Sequence, residues 1–359
     1  MLTMMRTTSI AALAFLALAA CQDQTDTAKA PAAPAALPQV TAVRETDPVN
    51  TEGDAADDPA IWVNPADPAQ SLIIGTAKKS GLYTYGLDGK MVQFVAEGRL
   101  NNVDIRSVRL GGGDKVVVVG ASDRDSKSIA LFKLDPATRQ LSMLADRQPS
   151  GFADPYGFCF YHSLATDTLY AFMTDKEKGG AQWRIDSSGG KVTAVKVRDL
   201  PLATQSEGCV ADDLGATVYV AEESVGVWSF PAEPDQPATA TPFAMVAANP
   251  KLVPDMEGLA IYRNETGASY LLLSSQGNNS YAVFDLGGSH AYKGSFMVGK
   301  GAVDGTSETD GIEVTSDALG AQFPHGLFVA QDGENTDPVA NQNFKLVPWD
   351  PIAKALKLK

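Results

Sequence analysis

Tyr156-Gly157-Phe158-Cys159, Glu207-Gly208-Cys209-Val210, Glu257-Gly258-Leu259-Ala260 and Asp310-Gly311-Ile312-Glu313 repeat one pattern about fifty residues apart: an acidic or aromatic residue, a glycine, then a short apolar run. Two looser copies lie upstream, Asp58-Pro59-Ala60-Ile61-Trp62 and Val103-Asp104-Ile105-Arg106. Each copy is followed by a second β-rich run that ends in polar residues (72–79, 116–124, 169–176, 218–223, 270–279, 327–335). A third run follows each of these (82–87, 129–134, 182–185, 226–230, 281–286, 344–349). The spacing leaves room for a fourth, more polar outer strand in every unit. Six such units predict an all-β, six-bladed β-propeller of four-stranded antiparallel blades. A pair of β-sandwiches would not repeat one pattern six times. After the N-terminal segment, sustained helical periodicity is confined to the tail at 352–358.

The N-terminus reads differently. Arg6 precedes an apolar run from Ile10 to Ala20, too short to span a bilayer as a helix, so residues 1–20 predict a secretory signal peptide. The run ends in Leu18-Ala19-Ala20-Cys21, which resembles a bacterial lipobox with Cys21 as the acylated residue. With Gln22 next, the expectation is a lipid anchor at the outer membrane or in the periplasm. Residues 21–39 are Ala-, Pro- and polar-rich, a flexible tether, and the globular domain is expected over 40–359. Cys159 and Cys209 stand two and one residues from equivalent glycines, which puts them on opposite faces of neighbouring strands and predicts two free, buried thiols.

The formal net charge of −14 disfavours nucleic acid as a partner. In a propeller the inner strands run side by side around an axis, so equivalent strand ends share one face. The starts of the first runs carry Asp57, Asp58, Asp104, Tyr156, Glu207, Asp255, Glu257 and Asp310; the ends of the second carry Lys78, Lys79, Arg124, Lys176, Glu222, Glu223, Gln276, Asn278, Asp332 and Asn335. Converging carboxylates repel one another unless hard cations neutralise them, and an oxygen-rich set of flexible ligands favours Ca²⁺. Zinc is disfavoured, because His162, His290 and His325 lack metal-type spacing. Lys78, Lys79, Arg124 and Lys176 beside such a cluster form a clamp for phosphate oxygens. There is no Arg-His-Gly nucleophile motif, no Cys-x₅-Arg loop and no Gly-x-Ser-x-Gly elbow. Two rival readings are a Ca²⁺-dependent lactonase or esterase propeller, which would not need the cationic clamp, and a non-enzymatic binding propeller, which would present aromatics at its mouth.

Longer segments sharpen this reading. They include 57-DDPAIWV-63, 78-KKSGL-82, 101-NNVD-104, 274-SSQGNNSY-281, 304-DGTS-307, 309-TDGI-312 and 328-FVAQDGEN-335. With them the chain resembles the β-propeller phytases, bacterial Ca²⁺-dependent phytate hydrolases, across residues 54–349. The resemblance implies a monomeric enzyme that takes phytate, or calcium phytate, as its substrate and uses several structural and catalytic Ca²⁺ ions. Attack by metal-activated water would proceed without a phosphoenzyme. It implies catalytic roles for Lys78, Arg124, Tyr156, Glu207, Glu257 and Asp310, and phosphate binding by Lys78, Lys79, Arg124 and Lys176. Metal ligands would be Asp57, Asp58, Glu207, Glu223, Asp255 and Glu257 at the cleft, and Asp304, Gln331 and Asp332 at tighter sites away from it. The loop at 175–180 departs from the family pattern around Lys176.

Overall fold

A computed structural model describes residues 36–187 and 190–359; the leader, Cys21 and most of the tether lie outside the described residues. Six sheets of antiparallel strands are arranged as the blades of a propeller. Blade 1 comprises Ala56–Trp62, Leu72–Ala77, Gly81–Gly86 and Met91–Val95, and the next four blades follow in chain order. Their inner strands are Leu100–Arg109, Pro155–Ser163, Ser206–Asp212 and Met256–Arg263. Blade 6 takes three strands from the C-terminal part, Ile312–Thr315, Leu327–Asp332 and Asn343–Pro348, and its fourth from the N-terminal Arg44–Glu45. Arg44 pairs with Leu346 in that strand. Gln39–Thr41 runs parallel to the outermost strand of blade 5, so the N-terminal segment fastens the last two blades.

The strands read as continuous apolar runs because blades pack face to face. Every residue of Ala56–Trp62, Leu72–Ala77 and Gly81–Gly86 is buried, whereas the outer Met91–Val95 is half exposed. Each apolar cluster joins two neighbours: Ile74 and Leu82 of blade 1 pack with Val119 and Phe132 of blade 2. Burial on both faces removes the alternation that a one-sided sheet would show. The tail forms an α-helix, Trp349–Leu356, which buries Trp349 and Ile352, and Trp349 stacks on Tyr262 at 3.8 Å. No helix among the described residues is long and apolar enough to cross a membrane.

The repeated glycine has a packing reason. A Cβ on Gly157 would lie 2.0 Å from the carbonyl oxygen of Glu207, and one on Gly208 would lie 2.0 Å from that of Glu257. Inner strands therefore touch backbone to backbone around the axis, and no side chain fits between them. The same contact closes the ring, where Gly311 N donates to Asp57 O at 3.0 Å.

The cysteine expectation is overturned. Cys159 and Cys209 form a disulfide across 5.5 Å between Cα atoms. Opposite faces would separate two residues within one sheet. In adjacent blades, one sheet's lower face looks at its neighbour's upper face, so opposite faces are what bring the pair together.

Candidate active site

Five of the six inner strands begin with a β-bulge. Pairing with the second strand skips between Ala56 and Pro59, Leu100 and Val103, Pro155 and Phe158, Ser206 and Cys209, and Met256 and Leu259. The residues inside these breaks are Asp57-Asp58, Asn101-Asn102, Tyr156-Gly157, Glu207-Gly208 and Glu257-Gly258. A bulge releases residues from the ladder and re-aims their side chains. Here they turn toward the axis, and the site is assembled from them.

A cleft of about 570 Å³ opens at one end of the channel, lined by Lys78, Lys79, Arg124, Tyr156, Lys176, Glu223, Asp255, Glu257 and Asp310 among others. Lys78 Nζ donates to Asp57 Oδ1 at 2.9 Å and Asp310 Oδ2 at 2.8 Å, and pairs with Asp54 at 2.7 Å. Burial opposes charging of Lys78, but Asp57, Asp310 and Glu207 outweigh it and hold the ammonium protonated. Gln276 steadies Asp310 through its other oxygen at 2.7 Å. Across the cleft Arg124 lies against the Tyr156 ring, 5.5 Å from its centroid, and Lys176 Nζ lies 4.7 Å from the same point. The Tyr156 ring thus draws both cations to one point of the cleft.

Glu207, Glu223 and Glu257 converge, each offering an oxygen within 4.8 Å of the others. All three are buried, and Glu223 Oε1 and Glu257 Oε2 have no hydrogen-bond partner. Desolvation, then the charge of Asp310, pushes Glu207 up to about 7. Desolvation and the charge on Glu207 raise Glu257 well above the carboxylate range, and Glu223 is raised too. Asp57 and Asp310 are likewise raised to about 7, chiefly by burial. Buried carboxyl oxygens without donors, aimed at one another, suit a hard cation with oxygen ligands.

The expected ring divides in two. Asp57 faces this cleft, but Asp58 and Asp104 line a second cavity of about 270 Å³ with Arg106, Asp213 and Glu313. Asp58 and Asp104 are therefore not at the cleft: alternation along the strand sends Asp58 the other way, and Asp104 lies beyond the bulge of its strand. Arg106 pairs there with Asp104 at 2.8 Å and Asp213 at 2.9 Å. Glu222 is a structural acceptor for Thr204 and the Trp228 indole.

Asp304 and Asp332 come together elsewhere, around the ammonium of Lys345, which also meets Glu45 and Asn335. Both oxygens of Asp304 are engaged, one by Lys345 and the other by the backbone N–H groups of Thr336 and Asp337. One ammonium here stands against three carboxylates, Glu45, Asp304 and Asp332, so it occupies the point where their oxygens converge and neutralises part of their charge. Gln331 lies between the two regions, its Oε1 accepting from Asp310 N at 2.9 Å while Nε2 has no partner.

The residues that the sequence reading missed share a repeat position. Asp154, Gln205 and Glu308 each stand two places before Tyr156, Glu207 and Asp310, as Asp255 stands before Glu257. Gln205, Asp255 and Glu308 line the cleft, and Asp154 chelates Arg124 at 2.9 and 2.7 Å. Aligning the repeat two residues further upstream would have found them. Arg99, from the blade 1–2 connection, also lines the cleft and has no such signal.

A family model described as Phytase matches residues 3–359. A "3-phytase" of Bacillus subtilis (strain 168) is 43% identical over 327 residues, covering 89% of this chain and 85% of the relative. Among solved structures, the β-propeller domain of Swd1 from Myceliophteria thermophila aligns with a TM-score of 0.44 at 12% identity, covering 81% of this chain and 82% of that one.

Proposed function

Since the chain belongs to the phytase family, we propose that it removes phosphate from phytate, myo-inositol hexakisphosphate, with Ca²⁺ held by the glutamates of the cleft. One observation carries this reading: three converging buried glutamates, two of them with a donor-free oxygen, stand beside Lys78, Arg124 and Lys176 in a single cleft. A carboxylate wall alone would repel a polyanion, and a cationic clamp alone would not activate water.

Glu207, Glu223 and Glu257 would hold the cation, with Asp255 at the rim and Asp57 and Asp310 close by. Bound there, Ca²⁺ supplies Lewis-acid charge for a water nucleophile and for phosphate oxygens. Lys78, Lys79, Arg124 and Lys176 bind the phosphates, and the Tyr156 ring packs against the last two. The Asn101 amide donates to Glu207 Oε1 and fixes the direction of that carboxylate. The charge of Lys78 stabilises negative charge developing on the phosphoryl group.

The test is phosphate release from phytate with Ca²⁺ and with EDTA, beside Glu257→Ala. Full activity in EDTA would remove Ca²⁺ from the reading, and an unchanged Glu257→Ala would remove the glutamate cluster.

The leader at 1–20 and the lipobox ending in Cys21 support export and a lipid anchor at the outer membrane or in the periplasm. The Cys159–Cys209 disulfide suits the oxidising compartment that export would provide. Labelling with radioactive palmitate tests the anchor; a Cys21→Ser variant that labels as strongly as the parent rules it out.

A further inference from the structure

Asn101 occupies the bulge of blade 2 and is fully shielded from solvent. Its carboxamide joins three blades. Oδ1 accepts from Arg124 Nη1 at 3.0 Å, while Nδ2 donates to Asp57 Oδ2 at 2.9 Å and to Glu207 Oε1 at 2.5 Å. The orientation is set by charge. The reversed amide would place its NH₂ against a guanidinium and its oxygen against two carboxylates, so only one assignment satisfies all three neighbours.

Arg124 is thereby gripped from two sides. Asp154 takes Nε and Nη2 at 2.9 and 2.7 Å, and Asn101 takes one N–H of Nη1. A guanidinium has five N–H donors, so about two remain for a ligand in the cleft. On its other side the amide donates to one oxygen of Asp57 and one of Glu207, which fixes the direction of both carboxylates.

We propose that Asn101 is a positioning residue that ties the phosphate-binding arginine to the cation-binding carboxylates. One amide orients Arg124 toward phosphate and holds Asp57 and Glu207 in the direction of the cation position. The second half of this proposal rests on the Ca²⁺ reading above; the first does not.

Two variants separate the halves. Asn101→Asp keeps an acceptor for Arg124 but cannot donate to Asp57 and Glu207, and it adds a negative charge beside them. Asn101→Ala removes both contacts. The measurements are KM and kcat for phytate, binding of inorganic phosphate and of Ca²⁺ to metal-stripped protein by calorimetry, and thermal unfolding. Asn101→Ala is expected to raise KM and weaken phosphate binding about tenfold, the loss of one charge-assisted hydrogen bond, and to weaken Ca²⁺ binding similarly. Asn101→Asp is expected to hold phosphate binding within about threefold of the parent while tightening Ca²⁺ binding at pH 8, because a further carboxylate joins the wall. Phosphate and Ca²⁺ binding unchanged within about twofold in both folded variants overturns the proposal. So does an equal loss of both ligands in both variants that follows the drop in melting temperature, since that marks a purely structural residue. If the parent binds no Ca²⁺ and works fully in EDTA, the cation reading fails and the phosphate arm still decides the role of Arg124 and Asn101.

Discussion

Lys345 and Asp332 meet as a buried ion pair, Nζ to Oδ2 3.1 Å, with the lysine side chain wholly shielded from water. Asp304 and Glu45 complete the surround, so one ammonium fastens the N-terminal strand of blade 6, the loop before its inner strand and the end of its second strand. Those segments are distant in sequence, and the lysine neutralises part of the negative charge that converges there.

Lys345→Met is therefore expected to destabilise the protein by about 3–5 kcal/mol, the cost of leaving buried charge unpaired. Added Ca²⁺ should then raise the melting temperature of the variant more than that of the parent, because the carboxylates have lost their resident cation. Thermal unfolding in EDTA and in Ca²⁺ checks this. Equal melting temperatures for variant and parent in EDTA would show that Lys345 does not carry the neutralisation.

Lys78 stands between Asp57 and Asp310 in the cleft. Lys78→Ala should reduce phytate turnover about 100-fold or more, the scale seen when one electrostatic contact to a developing charge is removed. Initial rates at saturating phytate test it, with circular dichroism to confirm folding. A drop under threefold would take Lys78 out of the clamp.

Glu313, at the far cavity, is pushed up to about 8, first by burial and then by Asp104. Between its unfolded value near 4.5 and 8, the folded protein holds a proton that the unfolded chain has released. Stability contributed by this group is thus full at acid pH and falls as pH rises through that window. Glu313→Gln should flatten the decline, leaving the variant more stable than the parent above pH 8 and little changed near pH 4. Melting curves across the range decide it, and parallel profiles would refute the assignment.

The Cys159–Cys209 disulfide spans 50 residues and links the inner strands of blades 3 and 4. Closing a loop of that length stabilises by about 4 kcal/mol on the chain-entropy account. Cys159→Ser, or reduction of the parent, should lower the melting temperature, and added reductant should not affect the variant further. Thiol titration of the denatured, unreduced Cys21→Ser protein should find neither Cys159 nor Cys209 free.

The tail helix and the three inner runs of each unit were legible in advance, because local periodicity and glycine spacing are properties of the chain itself. The glycines at 157, 208, 258 and 311 mark where inner strands touch, and that demand recurs once per blade. The fourth strand of blade 6 was not legible: Arg44–Glu45 has no repeat signature and is a strand only because Asn343–Pro348 offers it an edge. Asn101 was visible as part of a motif, yet its role depends on Arg124, Asp57 and Glu207 arriving from three blades.

By itself the sequence determined the number of blades, the strand order within them and the residue types gathered near the axis, since these follow from a pattern repeated along the chain. Only the tertiary structure decided which of those residues share a cleft. The side chains of Asp57 and Asp58 part to different cavities, Asp332 turns to Lys345, and Cys159 finds Cys209. The physical reason is that bulges and face-to-face blade packing set the direction of each side chain, and neither is encoded in the position of a single residue.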